Sequence, residues 1–416
     1  MSIAAATWPL SETFAPTSQD ELAATVLRAY SSSTPVYPLG GGTGLSFGLT
    51  PRRPGWGLAT TNLNRIIDHP VRDMTITAEA GISMRALSEE LARHGQRLPV
   101  DVPQDAEATL GGAVATAAGG PRRYGHGTMR DYVIGISAVD GRGVPFKAGG
   151  RVVKNVAGYD FCKLLTGSRG ALAVITQVTL KLRPTAEATA FVACDLKQVS
   201  DAEPLLAALV RSATTPTAIE LLAGPEWGRD SILQPISSPV RARLVVGLEG
   251  TRPEVAWMIE RLSREWRTAG VSQPRVISDD AAKELWSRLV EYPATGDSAL
   301  VVKASMVPSA VTRYVEMTLG LDPECSIQSH AGNGVVIVRF PEFSAADASR
   351  VLIRGLQPAA VKAGGHAVVL SCPAGTELTH QAVWGPIGPA AALMRAVKSK
   401  LDPKGLFNPG LATFEC

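Results

Sequence analysis

The segment Pro35–Gly48, PVYPLGGGTGLSFG, places a run of glycines directly after a short hydrophobic stretch. Glycine adopts positive φ at little steric cost, and successive amides in that conformation turn inward to form a nest that binds anions. Thr43 adds a hydroxyl donor to the loop. The loop does not match a Rossmann turn, since Pro51 and Pro54 prevent the helix that must follow one. The segment therefore predicts either another kind of anion-binding loop or a plain tight turn.

A second segment of small residues follows at Pro103–Gly120, PQDAEATLGGAVATAAGG. A helix over residues 108–120 would have almost no side-chain bulk, and each glycine inside it costs roughly 1 kcal/mol relative to alanine. A segment with so little side-chain bulk allows a planar or charged ligand to lie against the main chain. Thr109 can cap a helix there. Two such loops predict a cofactor with two phosphates held by backbone amides. The alternative for the second loop is a small-residue helix packed in the core.

The composition excludes several classes of protein. With 416 residues and 45% hydrophobic content, the chain can form two or three domains. The net charge of +3, the scattered Lys and Arg residues and the 6% aromatic content argue against nucleic-acid binding. No stretch of about 20 apolar residues occurs, so we expect no transmembrane span.

The five cysteines are scattered and form no C-x-x-C motif, so we predict neither an iron–sulfur cluster nor a bound metal in this chain. Their usage fits a reducing compartment. The start, MSIAAATWPLSETFAP, lacks the basic residues of a signal peptide. We therefore expect a cytoplasmic protein.

The apolar periodicity predicts an α+β fold. The stretch 18–30 has the spacing of an amphipathic helix, whose inward residues would be Leu22, Val26 and Leu27. From about residue 188, strands and helices alternate in the manner of βαβ units. This alternation predicts a smaller α/β sandwich in the second half of the chain.

Several segments resemble the FAD-binding domain of the vanillyl-alcohol oxidase superfamily, known as the PCMH-type domain. They are GGGTG at 40–44, TLGG at 109–112 and YGHGTMRDYVIG at 124–135. LDPKGLFNPG at 401–410 resembles the segment with which these proteins return to the flavin domain. The stretch 149–184, which contains KNVAGYD, is similar to the FAD-binding subunits of glycolate oxidases, the smaller partners of a main flavin subunit and an iron–sulfur subunit.

The resemblance implies a domain order. Residues 1–185 would form a two-lobed PCMH-type FAD-binding domain. Residues 186–388 would form a cap domain that binds substrate or partner. Residues 389–416 would pack back on the FAD-binding domain.

The resemblance also implies roles for individual residues. The glycine loops would hold the pyrophosphate and ribityl chain of FAD, Asp131 would fix a loop near the flavin, and Asn408 would close over the ring. Gly170 and Ile175 would lie beside the adenine or isoalloxazine. Two alternatives stay open: Asp131 pairs with Arg130 or caps a turn, and Asn408 forms a local Asx-turn. The full set implied to contact FAD is Gly40, Gly41, Gly42, Thr43, Gly44, Thr109, Gly111, Gly112, Ala113, Gly119, Asp131, Gly170, Ile175 and Asn408.

Some members of the superfamily attach FAD covalently through a histidine or cysteine near these loops. His126 is the one histidine close to them in sequence. We expect it to be a solvated loop residue and FAD to be bound non-covalently.

The catalytic residues are less clearly marked. Related 2-hydroxy-acid dehydrogenases carry a histidine-rich motif, of which the stretch 326–340, SIQSHAGNGVVIVRF, keeps His330 but no second histidine. With no carboxylate adjacent in sequence, His330 predicts no metal site; it could be a general base or a hydrogen-bonded histidine at the start of a strand. Tyr159 and Lys154 of KNVAGYD could contact substrate, flavin or a partner, or the motif could hold its loop through an aspartate–lysine ion pair.

Three functions follow from the resemblance. The first is the FAD-binding subunit of a glycolate oxidase or dehydrogenase complex, which oxidises glycolate or D-lactate to the 2-oxo acid and passes electrons to a partner iron–sulfur subunit beside a larger flavin subunit. The second is a non-catalytic subunit that holds FAD as a structural or relay cofactor. The third is a stand-alone FAD-dependent alcohol or sugar oxidase. The first two leave open a peripheral position on the inner face of the membrane through partners.

Overall fold

The computed structural model describes residues 8–150, 158–234, 240–271, 273–294, 296–344, 347–373 and 378–414. In chain order the strands are β1 (Leu10–Phe14), β2 (Val36–Leu39), β3 (Gly55–Ala59), β4 (Ile66–Asp68), β5 (Thr75–Glu79), β6 (Gln96–Arg97), β7 (Val133–Val139), β8 (Pro145–Gly149), β9 (Val174–Lys181), β10 (Arg183–Pro184), β11 (Ala188–Leu196), β12 (Ala218–Ala223), β13 (Ala242–Gly250), β14 (Arg275–Ser278), β15 (Leu300–Ser305), β16 (Ser326–His330), β17 (Val335–Phe340) and β18 (His366–Ser371).

The α-helices are α1 (Gln19–Ser32), α2 (Met84–Arg93), α3 (Leu110–Thr116), α4 (Arg123–His126), α5 (Met129–Tyr132), α6 (Phe161–Leu165), α7 (Ala202–Leu209), α8 (Pro225–Gly228), α9 (Arg252–Thr268), α10 (Asp279–Glu291), α11 (Val311–Leu321), α12 (Gln357–Lys362), α13 (His380–Trp384) and α14 (Ala391–Leu401). Short 3₁₀ turns lie at Val71–Asp73, Val199–Asp201, Pro308–Ala310 and Ala331–Asn333, and a π-helix at Ser349–Leu356 precedes α12. No helix in the described part of the chain is both long and apolar enough to cross a bilayer.

The chain divides into two compact units of equal length. The first unit comprises Met1–Gly119, Thr128–Thr185 and Pro386–Cys416, and the second comprises Gly120–Gly127 and Ala186–Gly385. The expected second domain was smaller, and the expected first domain included residues 120–127. These eight residues belong to the second unit because they bond there, for example through the Gly125 N–H, which donates to Thr217 O at 3.0 Å.

In the first unit, β4, β5, β9, β7 and β8 form an antiparallel sheet, and β1, β3 and β2 form a parallel one. α1 is capped by Ser18, whose side chain accepts from the Glu21 N–H, and it buries Leu22 and Val26. The expectation that Leu27 also turns inward is wrong: Leu27 is 53% exposed. The buried stripe of the helix consists of Leu22, Ala23, Thr25, Val26 and Ala29, and Leu27 lies just outside it.

In the second unit, the described strands form one sheet in the order β14-β11-β13-β12-β16-β17-β15-β18. The alternation of strands and helices is present, but every recorded strand pair in this sheet is antiparallel rather than of the βαβ kind. The alternation in the sequence shows only that helices connect the strands. The direction of each strand depends on the end of the sheet to which the preceding helix returns the chain. α9 and α10 supply buried Leu262, Trp266, Leu285 and Trp286 to this unit.

Candidate functional site

The two glycine-rich segments predicted to act together lie against each other in the first unit. A Cβ at Gly40 would overlap the hydroxyl of Thr109, and a Cβ at Gly41 would overlap the backbone carbonyl of Glu107. Both positions therefore require glycine because the second segment approaches the main chain of residues 40–44 so closely. The sequence alone gave each loop a glycine-rich composition, and the structure brings the two together.

The rest of the first loop is shaped differently. Gly42 has φ of 82°, in the left-handed region that favours glycine. Thr43 and Gly44 are exposed, and a Cβ at Gly44 would only make ordinary contact, 3.6 Å from Thr116 Cγ2. The protein itself thus leaves this side of the loop uncovered.

The second segment forms the short helix α3. The Thr109 hydroxyl caps it by accepting from the Gly112 N–H at 3.2 Å, as the sequence predicted. Gly111 is glycine for packing, because a Cβ there would lie 2.7 Å from Ala80 Cβ. Gly119 has open space where a Cβ would stand.

Asp131 and Ile175 have structural roles in the same unit. The Asp131 carboxylate accepts from the backbone N–H and the hydroxyl of Thr128, both at 2.8 Å, and so closes a capping box on α5. The backbone hydrogen bond from Thr128 is the main cause that lowers the pKa of Asp131. This is the turn-cap alternative raised above. Ile175 is buried in the same hydrophobic cluster as Ala113.

The C-terminal turn reaches back to the first unit through Asn408. Its Nδ2 donates to Arg169 O at 2.7 Å, and a Cβ on Gly170, whose φ is 67°, would lie 3.2 Å from the same atom. Asn408 Oδ1 is buried and has no hydrogen-bond partner in the part of the chain that the structure describes, so the local Asx-turn is not formed. A buried acceptor without a donor carries a penalty of about 1–3 kcal/mol, which a ligand donor at this position would relieve.

A buried lysine fixes the position of that turn. Lys398 Nζ donates to Ala171 O and Phe407 O, each at 2.8 Å, and to the Asp402 carboxylate at 2.7 Å. Asp402 in turn accepts from the backbone N–H of Leu406 at 2.9 Å. Charge-assisted bonds of this kind are about twice as strong as neutral ones, so they tie Asn408 to its place beside residues 169–171.

Arg169 adds a positive charge next to the first loop. Its guanidinium lies over the ring of Phe47, 3.0 Å from the centroid, and Arg169 N donates to Ala115 O at 2.7 Å. Burial lowers the pKa of Arg169 to about 9. A desolvated guanidinium that remains charged at neutral pH favours an anionic ligand nearby.

In the second unit, His330 is paired with a carboxylate that the sequence analysis missed. β12 and β16 set Glu220 opposite His330, and His330 Nδ1 lies 2.8 Å from Glu220 Oε1. Gln328 Nε2 donates to Glu220 Oε2 at 2.9 Å, and all three side chains are buried. The carboxylate accepts from Nδ1–H, so in neutral His330 the Nε2 carries the lone pair. His330 also ends a strand rather than starting one.

The turn that follows His330 is closely packed. Gly332 is glycine because a Cβ there would overlap the ring of Tyr124, and Gly334 has φ of 68°. Asn333 Oδ1 is buried and has no hydrogen-bond partner among the described residues. The turn thus holds a buried oxygen that could accept a hydrogen bond, three residues after His330.

The other candidates lie in the KNVAGYD segment of the first unit. Lys154 lies outside the described residues. Tyr159 is 85% exposed, 6.5 Å from the ring of Phe161. Asp160 caps α6 by accepting from the Lys163 N–H at 3.0 Å, and its carboxylate pairs with the Lys163 ammonium, also at 3.0 Å.

His126 is not the solvated loop residue that the sequence predicted. Its Nε2 lies 3.4 Å from the buried carboxylate of Glu249, which also pairs with Arg122 at 2.8 Å, within the second unit. The guanidinium of Arg122 lies 4.1 Å from the ring centroid of Trp286. The basic run of residues 122–126 was the only sequence signal for this cluster, and its acidic partner is more than 120 residues away.

Two families match parts of the chain. Residues 11–149 match the family described as FAD binding domain, and residues 387–411 match the family described as FAD linked oxidases, C-terminal domain. The first match includes both glycine segments, and the second includes Asn408.

Relatives with assigned names match as well. The chain is 29% identical over 410 residues to a D-lactate dehydrogenase of Archaeoglobus fulgidus, across 95% of this chain and 89% of that protein. It is 28% identical over 239 residues to glycolate oxidase subunit GlcD of Bacillus subtilis, across 58% of this chain and 51% of that one. It is 35% identical over 167 residues to a D-2-hydroxyglutarate dehydrogenase of Xanthomonas citri, across 40% of this chain and 35% of that one.

A solved structure shares the fold. An alkyldihydroxyacetonephosphate synthase superposes with a TM-score of 0.70 at 16% identity, across 96% of this chain and 75% of that one. At this identity the likeness concerns the fold alone.

Proposed function

Because the chain belongs to the PCMH-type FAD-linked oxidase superfamily and is an FAD-linked oxidoreductase, we propose that it oxidises a small 2-hydroxy acid, glycolate or D-lactate, to the 2-oxo acid. The observation that carries this substrate class is the match to a D-lactate dehydrogenase, which is 29% identical and covers 95% of this chain. FAD is the cofactor.

The residues of the first unit fit FAD. The loop at 40–44 offers exposed main chain for a pyrophosphate, Arg169 offers positive charge, and Asn408 Oδ1 needs a donor such as an amine, hydroxyl or ring N–H. We assign to the walls of this cradle Gly40–Gly44, Thr109, Gly111, Gly112, Ala113, Gly119 and Gly170. Asp131 would act by fixing its loop through the capping box on α5, and Ile175 through packing.

When bound, FAD supplies the hydride acceptor for oxidation of the hydroxyl-bearing carbon. We take it to be non-covalent, and the engagement of His126 with Glu249 supports this. Yellow colour that stays with acid-precipitated protein would contradict it.

His330 is the proposed general base. Glu220 fixes its tautomer and orientation, which leaves Nε2 to take the proton of the substrate hydroxyl while the C–H electrons leave as hydride. Tyr159 could bind the substrate carboxylate or a partner through its exposed hydroxyl. We propose the same two roles for Lys154.

The chain carries no cysteine spacing for a cluster, so we propose that electrons pass to a partner iron–sulfur subunit in a complex with a larger flavin subunit. We place this complex in the cytoplasm or on the inner face of the membrane.

A second function has one observation in its favour. The stretch 326–340 has a single histidine, where the resembling dehydrogenases have several. In this case the chain would hold FAD as a structural or relay cofactor and a partner subunit would carry out the oxidation.

One experiment separates the two functions. The purified FAD-loaded chain is given glycolate or D-lactate anaerobically, and the bleaching of flavin absorbance is followed with and without co-expressed partners. Bleaching by the chain alone that is lost in His330→Gln at unchanged FAD content supports a dehydrogenase. Bleaching only with partners, insensitive to His330→Gln, supports the holding subunit, and colourless folded protein that refuses FAD contradicts both.

A further inference from the structure

Two of the six histidines of the chain lie near one carboxylate in the first unit, and none of these residues belongs to the sites described above. His94 Nε2 lies 3.5 Å from Glu90 Oε1, and His69 Nδ1 lies 3.9 Å from the same oxygen. One ligand atom from each of the three residues can be chosen so that all lie within 4.8 Å of one another. Both measured distances exceed hydrogen-bond length, so these are not hydrogen bonds.

The tautomer of His69 is set by a neighbour. The Gln96 amide nitrogen donates to Val71 O at 2.7 Å, so its oxygen is free to accept, and it lies 3.0 Å from His69 Nε2. A backbone carbonyl can only accept, which fixes this orientation of the amide. In neutral His69, Nε2 therefore donates to Gln96 and the lone pair of Nδ1 points at the Glu90 carboxylate.

A lone pair that faces a carboxylate oxygen is unfavourable, and either a proton on Nδ1 or a metal cation between the two atoms removes the repulsion. A metal-binding histidine that donates its other N–H to a fixed acceptor is the usual outer-shell arrangement of zinc sites. Ligand atoms around tetrahedral zinc stand about 3.3 Å apart, since the bonds are about 2.0–2.1 Å long. Rotation of the exposed His94 side chain can shorten the distances from its nitrogen to the other two ligand atoms.

The surroundings suit a site open to solvent. The side chain of His69 is 8% exposed and that of His94 is 40% exposed, so one ligand is rigid and the other is accessible. Arg93 binds the other oxygen of Glu90 at 2.7 Å, which orients the carboxylate and leaves Oε1 to the histidines. The Arg93 side chain is 71% exposed, so water and salt screen its charge.

We propose that His69, Glu90 and His94 form a binding site for a divalent transition metal of the zinc class, completed by water. His69 follows β4, Glu90 lies in α2 and His94 ends that helix, so the ion would link the β4–β5 connection to the end of α2. Gln96 is a positioning residue of this site. The proposal does not depend on the reaction proposed above.

The test uses the untagged, FAD-loaded chain, freed of metal with a chelator and titrated with Zn²⁺ alone. We expect one ion per chain, a rise in melting temperature with Zn²⁺ and, with Co²⁺, visible absorption of a nitrogen- and oxygen-ligated ion. His69→Gln and His94→Gln should each weaken affinity at least about 10-fold, and Gln96→Leu about 10-fold.

The control is His366→Gln, which removes an exposed histidine of the second unit and should leave the affinity unchanged. FAD content and the metal-free melting temperature show that each variant is folded. Unchanged affinity in either ligand variant, or uptake of less than one ion per chain at micromolar Zn²⁺, overturns the proposal.

Discussion

The backbone carbonyl of Glu107 fills the space that a side chain at Gly41 would need. This relationship joins two segments that are about 65 residues apart in the chain. It requires glycine at position 41 for a reason that is internal to the protein, whatever ligand the loop holds. Position 44 lacks such a constraint. Comparing substitutions at positions 41 and 44 therefore separates the effect of the loop on stability from its effect on FAD binding.

Gly41→Ala should destabilise the first unit by about 1–3 kcal/mol and lower its FAD content, because a clash with backbone cannot be relieved by rotation of a side chain. Urea unfolding and flavin absorbance per chain measure the two effects. The matched control is Gly44→Ala, whose Cβ would stand 3.6 Å from Thr116 Cγ2 and should leave the free energy of unfolding unchanged. A Gly41→Ala protein as stable as the wild type would show that the two segments do not touch as described.

Asn408→Ala should weaken FAD binding about 10-fold, since it removes both the donor to Arg169 O and the unpartnered Oδ1. Asn408 has φ of 47°, so alanine also adds backbone strain. Asn408→Gly removes the same amide without that strain. Equal losses of affinity in a fluorescence titration assign the effect to the amide, and a loss in alanine alone assigns it to the backbone.

Arg169→Met should weaken FAD binding by about 10-fold or more if the guanidinium faces the phosphates. Burial lowers the pKa of Arg169, but a guanidinium stays charged across the pH range in which the protein is folded, so the substitution removes a permanent charge. A fluorescence titration of FAD at low and high salt measures the effect. Equal affinity of Arg169→Met and the wild type at low salt would remove Arg169 from the phosphate site.

Glu220→Gln should lower kcat roughly 100-fold with little change in KM, at the lower end of what a general base contributes. Gln328 Nε2 would hold the oxygen of the new amide, so the amide NH2 would face His330 Nδ1 and favour the tautomer with its proton on Nε2. The control is Ser329→Ala in the same strand, which loses only the 3.0 Å bond to Val335 O. A merely structural role would change melting temperature or FAD content in Glu220→Gln and leave kcat intact.

Asp131→Asn should cost about 1 kcal/mol of stability at pH 7, as expected for loss of a cap, with FAD content unchanged. The native pKa of Asp131 lies below the ordinary 3.8, so the unfolded chain binds the proton first on acidification. The cap's contribution is present above pH 3.8 and is lost as pH falls through the native pKa. The stability difference between variant and wild type, followed by urea unfolding, should vanish there, and a variant that loses FAD would point to a direct cofactor role.

Local features could be predicted from the sequence because their causes are local. Thr109 caps a helix through a hydrogen bond to an amide three residues on, and the inward position of Leu22 follows from helical spacing. Leu27 was placed wrongly because an apolar residue next to the buried stripe has no local signal of exposure. The direction of the strands in the second unit was missed for a similar reason, since each depends on where a helix ends in space.

The sequence by itself determined the match to FAD-binding domains, the cofactor and the glycine positions of the two loops, because backbone freedom and small side chains are properties of the residues. Only the tertiary structure decided which distant groups meet. Glu220 faces His330 across two strands, Asn408 reaches Arg169 from the far end of the chain, and Glu90 lies close to His69. Such pairs depend on strand register and chain closure, which carry no mark in the sequence near either partner.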